Sequence, residues 1–460
     1  MASRSTPKWP RFNSSIEILS DVSLPGTERN TRWDVHLADG RIRDIVAHQE
    51  DAPQANSVDA KGALLAPSLC HPHIHIDKAY LLSHPKYADL QIEKGDFQEA
   101  MNLTGKAKAQ FETDDLLERG QRLVDESVAA GVTHMRAFVE VDAGVQLKCL
   151  DAGIELQERA AGEGICSIQL CAFAQLPLFS SSAGDEEGAV IRDLMHQAVV
   201  KPGVTVIGST PYVEDDRSKM QRNVEWMVDL SIEHNVHLDF HLDYNLDQDI
   251  ETLVWFVVQT LKEKGWKERT SNATIVLGHC TRLTLFSTAE WETLAQTIRD
   301  AQLPISFVGL PTSDLFMMRT SKRPEVRGTL DIPRLIKEYD LNACIGVNNI
   351  GNAFTPQGTC DPLSLACQGV GIYQAGTKRD TEILYECVST RARAAIGLGS
   401  SEDGGASLIP KPGDKANLIL YKAADPGWRT RTSVSEAVYL YDHGHGRTTF
   451  LDGHETRSRW

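Results

Sequence analysis

Residues 64–77 read LLAPSLCHPHIHID: a mostly apolar run, interrupted by Pro67 and Ser68, that leads into His71, His73 and His75 and then Asp77. Alternate side chains of an extended strand point the same way, so the spacing predicts three imidazoles on one face of a strand end. A single histidine in such a place usually reads as a buried packing residue. Three on one face read as metal chemistry, because two imidazoles from one strand hold a divalent ion once a third ligand arrives from elsewhere in the chain.

The rest of the chain sets the frame for that stretch. Its 460 residues are long enough for one large domain and a smaller one, and 41% hydrophobic with 24% charged residues is an ordinary globular composition. No apolar run approaches the ~18 residues of a membrane span. The opening MASRSTPKWPRFNSS has basic residues with no apolar core behind them, and the final Ser-Arg-Trp is not a peroxisomal address. A net charge of −16 argues against nucleic acid or an anionic membrane as partner. Nine scattered cysteines without paired metal-type spacing read as reduced thiols, so the expected location is the cytoplasm.

Outward from the histidine stretch the sequence cycles between apolar strands and helical stretches. The strand candidates are the His stretch itself and residues 131–142, 165–175, 204–213, 236–243, 274–280, 304–310 and 341–349. Between them, DLLERGQRLVDESVAAG has apolar residues at helical spacing before Gly131, and STAE at 287–290 is a capping box. Eight strands alternating with helices over about 300 residues are the arithmetic of an α/β (β/α)8 TIM-like barrel. An open doubly wound sheet is the alternative, but no glycine-rich dinucleotide loop follows the first strand. Short strands at both ends, in residues 15–66 and around 416–423 and 436–442, predict a small β-sandwich domain built from both chain ends. The expected division is therefore 15–66 and 407–445 for that domain, and 67–400 for the barrel.

Catalytic groups of such a barrel sit at the C-terminal strand ends. Those ends carry His71, His73, His75 and Asp77 on the first strand, Gln175 on the third, His241 and Asp243 on the fifth, His279 on the sixth, and Asn348 and Asn349 on the eighth. His134 and His237 lie earlier in their strands and read as packing.

The stretches PSLCHPHIHIDKAY, CAFAQ, HLDYNLD, VLGHCTRL, GVNNIGNAFTPQG and STRARAAIGLG, in this order over roughly residues 60–400, resemble the amidohydrolase superfamily and its cytosine deaminase-like branch. The resemblance implies one divalent metal ion, zinc or iron, held by His73, His75 and His241. It also implies that His279 contacts the activated water, that Gln175 orients an amide-like substrate edge and that Phe354 lies over the ring; His71, at the end of the first strand, is a further candidate for the substrate side. Superfamily barrels often form homo-oligomers. Two positions depart from the family: its metal-binding acid falls on Asn348, which carries no charge, and its proton-shuttling glutamate falls on Tyr244, with an unperturbed pKa near ~10.

Three neutral histidines still suffice for zinc, and Asp243 or Asp77 offers a nearby carboxylate. The expected activity is metal-dependent hydrolysis of a C–N bond in a small molecule: a cyclic amide, an amidine or an amino-heterocycle. The alternative is a repurposed barrel that binds a small molecule or catalyses a non-hydrolytic isomerisation, elimination or cyclisation with His279 and Tyr244. Phe138 and Phe173 are candidate pocket walls, with core packing as the competing role. Residues 80–112 and 313–328 read as polar loops over the mouth, the second carrying Arg319, Lys322 and Arg323.

Overall fold

The apolar runs become eight parallel strands in a computed structural model that describes residues 16–50, 56–320, 323–399, 407–422, 427–442 and 446–456. They are β1 (Leu69–His75), β2 (Val132–Glu140), β3 (Ser167–Ala174), β4 (Val204–Ser209), β5 (His237–Leu242), β6 (Ile275–His279), β7 (Ile305–Gly309) and β8 (Asn342–Ile345). Every residue of β1, β2, β6 and β7 is buried, as in parallel strands covered on both faces by helices. That is why these strands carry apolar residues on both faces rather than a strict apolar–polar alternation.

The ring closes just after β8. The His75 amide donates to the Asn348 carbonyl at 2.8 Å, and the Asn348 amide donates to the His73 carbonyl at 3.1 Å. The result is the expected (β/α)8 barrel. Its helices start where the sequence signals them: Ser287 Oγ accepts from the Glu290 amide, and the Glu290 carboxylate accepts from the Ser287 amide, opening Thr288–Asp300.

Both chain ends supply the second core. One sheet runs Arg41–Ala47, Trp33–Ala38, Ile18–Val22, Ser57–Asp59, and the other runs His454–Glu455, Arg447–Leu451, Leu418–Tyr421, Leu65–Pro67. Leu19, Val35, Leu65, Leu418, Leu420 and Phe450 pack between them. The break at Pro67 and Ser68 is thus a border: Leu65–Pro67 pairs in the small domain, and Leu69 begins the barrel.

Residues 436–442 are not a strand. Ser433 caps a short helix, Val434–Tyr439, whose buried Val434, Ala437 and Val438 have the i, i+3, i+4 spacing of a helical face. The strand of this region comes later, at Arg447–Leu451. Residues 80–112 also differ from the expected polar loop. They contain a helix, Phe97–Lys108, capped by Asp96, whose side chain accepts from the Glu99 amide at 2.8 Å. Its buried Ala100 and Leu103 belong to one apolar cluster with Tyr244, Met317 and Phe354, so the helix lies over the mouth. The stretch 313–328 opens inside another helix, Pro311–Met317. Arg319 and Arg323 are exposed on it, and Lys322 lies outside the described residues. No helix among the described residues is long and apolar enough to cross a membrane.

Candidate active site

Three imidazoles meet at the mouth of the barrel. His73 Nε2 and His75 Nε2, both from β1, lie 3.0 Å and 3.1 Å from His241 Nε2 on β5. All three are buried, and their ligand atoms form a group that could hold a metal ion. Four nitrogens at the usual 2.0–2.1 Å around zinc would stand about 3.3 Å apart, so the observed separations fit one shared ion to within a few tenths of an ångström. Burial holds the rings neutral. It pushes the His75 pKa well below 6.5, and the nearby Lys78 ammonium adds to this. Neutral lone pairs turned on one another are what a cation would satisfy.

Phe138 on β2 and Phe173 on β3 are fully buried against these rings, with centroids 4.1 Å from His73 and 5.4 Å from His75 respectively. They pack in one small cluster with Cys171 and Val206, beneath the mouth rather than around it. The Nδ1 atoms of His73, His75 and His241 are buried without a hydrogen-bond partner, and Asp239 Oδ1 lies 4.0 Å from the first.

His71 does not join them. One extra residue between His71 and Ile74, against β2, bulges the strand and turns His71 outward. Its Nε2 meets Ser127 Oγ at 3.1 Å on the Thr113–Ala129 helix. Strict alternation across 71–75 was the wrong assumption, and His71 is a packing residue rather than a substrate ligand.

Asp243 is also displaced from the role expected of it. Its φ of +48° swings the side chain out of the strand, and its two oxygens accept from the Leu253 and Val254 amides at 2.7 and 3.1 Å. It anchors the start of the Val254–Glu263 helix.

Asn348 sits beside His73 with φ +66°. Its Nδ2 donates to Ser313 Oγ at 2.8 Å, and its Oδ1 is buried with no partner. An orphaned carbonyl oxygen next to three neutral imidazoles fits a neutral fourth donor to a metal.

His279 ends β6 with φ +65°, and its Nδ1 lies 2.7 Å from Asp314 Oδ1. An ionised carboxylate only accepts, so this contact puts the proton on Nδ1 and leaves Nε2 a lone pair. Asp314 is fully buried and also accepts from Thr329 Oγ1 at 2.8 Å and the Leu310 amide at 3.2 Å. Burial pushes its carboxyl up, and the His279 hydrogen bond opposes that. Asp314 was hidden in a stretch that reads as a loop. Pro311, the first helical residue, was the available signal, since it places Asp314 in the first turn of the helix that follows β7.

Tyr244 stacks on His279 with centroids 3.9 Å apart and lies among Phe97, Tyr212 and Phe354. Burial pushes its phenol well above 10.

Lys78 is the residue that sequence reasoning passed over. It is buried, donates to Glu140 Oε1 at 2.6 Å and to Gln175 Oε1, and lies 5.2 Å from the centre of the Phe354 ring. Gln175 Nε2 donates to Met101 Sδ at 3.5 Å on the covering helix. Lys108, from the end of that helix, pairs with Glu140 and Asp142 at the β2 rim. Burial alone would raise the Glu140 carboxyl, but the Lys108 and Lys78 ammoniums override it and hold it down to about 2. Its only sequence signal was an invitation to look: a lysine three residues beyond the last histidine.

The chain is 23% identical over 429 residues to N-isopropylammelide isopropyl amidohydrolase of Pseudomonas sp. (strain ADP), covering 87% of this chain and 90% of that one. It is 22% identical to pterin deaminase of Rhizobium rhizogenes, covering 91% and 90%. Among solved structures, 5-methylcytosine deaminase from Klebsiella pneumoniae with 5-fluorocytosine superposes with a TM-score of 0.81 at 21% identity, over 96% of this chain and 98% of that one. N-isopropylammelide isopropylaminohydrolase from Burkholderia multivorans gives 0.71 at 18%, over 95% and 97%. No protein-family model matches. Along most of its length the chain is thus similar to a curated amidohydrolase and a curated deaminase, and it shares its fold with the solved deaminase and aminohydrolase structures.

Proposed function

We propose that this chain hydrolyses a C–N bond of a small, flat heterocycle, using a single zinc or iron ion bound by His73, His75 and His241. The observation that carries this reading is the meeting of three neutral Nε2 atoms, 3.0 and 3.1 Å apart, beside a His279 oriented by Asp314. Curated relatives that align with most of the chain are an amidohydrolase and a deaminase, which supports C–N hydrolysis as the chemistry. A bound divalent ion supplies Lewis acidity and lowers the pKa of water toward ~7.

The residues of the chain do the rest. Asp314 holds the His279 ring by its Nδ1–H, so Nε2 is the atom that takes a proton from water and later hands it to the leaving nitrogen. Asn348 cannot serve as a base, since its amide has no titratable site; its role is to present Oδ1 toward the ion and to keep Ser313 in place. Tyr244 replaces a proton carrier by an aromatic face and fixes the His279 ring by stacking. Phe354 and Tyr244 cover a planar substrate, while Gln175 meets its polar edge. A cytoplasmic enzyme, with the barrel beginning after Pro67 and the sandwich formed by both chain ends, the second reaching Glu455, completes the proposal.

The test is metal content. Chain purified without chelator should carry about one equivalent of zinc or iron. The double variant His73→Ala, His241→Ala should carry none. Wild type that stays metal-free even after reconstitution would end this reading.

A further inference from the structure

Glutamine at the mouth of such a barrel has two faces to offer a ligand, an N–H donor and a C=O acceptor. In this chain one of them is taken. Lys78 Nζ points at Gln175, and an ammonium is donor-only, so the atom facing it is Oε1 and the amide cannot flip. Of the two amide atoms of Gln175, Nε2 is then the one left for a ligand, and its present partner is a thioether, Met101 Sδ at 3.5 Å, which is a weak acceptor. Lys78 itself uses two donors, on Glu140 and Gln175, and keeps a third N–H beside the Phe354 ring. Both residues are buried, Lys78 at 2% and Gln175 at 8% exposure, so water does not freely repair a mismatch.

We infer that the polar edge of this mouth is donor-only, and that it selects a flat ring whose edge presents acceptors alone: a heteroaromatic carboxylate or a deprotonated imide-type edge. A neutral amide edge, with one N–H and one C=O, leaves its N–H facing Gln175 Nε2–H or the Lys78 ammonium. The inference rests on the hydrolase reading only in taking the same mouth as the substrate site. Lys78, Gln175 and Phe354 hold one another without a metal.

The experiment compares two matched rings, pyridine-3-carboxylate and pyridine-3-carboxamide, by calorimetric binding to the full-length chain as purified. The carboxylate is expected to bind about tenfold to a hundredfold more tightly, the scale on which buried donors reject a mispaired edge. Gln175→Glu exchanges the Nε2 donor for an oxygen while Lys78 keeps its pairing, and should erase that preference. Lys78→Met frees the Gln175 amide to flip and should raise carboxamide binding toward that of the carboxylate. Equal binding of both rings to wild type, binding of neither at millimolar concentration, tighter binding of the carboxamide, or a preference that survives Gln175→Glu overturns the inference. Metal content measured on the same samples separates the two readings. Metal-loaded protein with no carboxylate preference sinks the donor-only edge alone, and metal-free protein with the preference sinks the hydrolase alone.

Discussion

Lys108 is the latch between the covering helix and the barrel, and its removal has a calculable effect. The ammonium is 12% exposed and bridges two carboxylates, Glu140 and Asp142, that are 3% and 2% exposed. Replacing it by methionine keeps the stem's volume and leaves both acids short of a cation. Glu140 retains Lys78, and Asp142 Oδ1 retains the Gly144 and Val145 amides at 2.8 and 2.9 Å. Breaking one side of a buried ion pair costs about 3–5 kcal/mol. Because an opened helix lets water reach the rim, the low end applies, about 3 kcal/mol, or roughly a hundredfold in the opening equilibrium.

Amide hydrogen exchange is the assay. Amides of residues 101–108 should lose roughly a hundredfold of protection in Lys108→Met, while those of β6, such as Leu277, keep theirs. Wild type gives the same answer from pH. Glu140 is held down from 4.5 to about 2, so its contribution is complete above pH 4.5 and is lost as pH falls through the folded value. The helix should loosen in that acid window and not between pH 6 and 8. Unchanged exchange over 101–108 in Lys108→Met, or equal loss everywhere in the barrel, would refute the latch.

Three further outcomes follow from the site. Asp314→Asn should lower turnover by about 10²–10⁴-fold with metal content unchanged, because an amide no longer enforces the Nδ1–H tautomer of His279; a pH–rate profile identical to wild type would contradict this. Asn348→Asp should tighten metal retention by about tenfold, read by chelator competition, while costing the metal-free protein about 1–3 kcal/mol for a charge placed where an unpartnered amide oxygen stood. Asp243→Ala should cost about 1–2 kcal/mol in urea denaturation through the lost Leu253 and Val254 hydrogen bonds, and leave metal content intact; loss of metal with unchanged stability would return Asp243 to the site.

The barrel was readable because its strands are buried on both faces, which leaves mostly apolar runs without alternation, such as ISFVG and IVLG, in the sequence. His73, His75 and His241 were readable for a related reason: each ends such a run, where a polar side chain has no packing role to explain it. His71 was misread because a bulge adds one residue to a strand without changing its composition. Asp243 was misread because a left-handed φ, not the residue type, removes it from the face of His241. Asp314 and Lys78 escaped notice because their importance lies in partners distant in sequence, 35 residues away at His279 and 97 at Gln175. The Val434–Tyr439 helix was lost to a run, AVYLY, that suits either period over so few residues.

The seam of the barrel passes through Asn348, where the resemblance to the amidohydrolase superfamily implies a metal-binding acid. Asn348 joins β1 by its own amide and carbonyl, and its backbone is left-handed, a conformation that asparagine, aspartate and glycine tolerate better than other residues. Geometry therefore admits the amide and the carboxylate alike. Charge at the centre of this site is a one-group decision that leaves the backbone bonds of the seam in place, although it costs the metal-free protein stability. A catalyst built on this plan can gain or lose a carboxylate beside its histidines with no rearrangement of the strands that carry them.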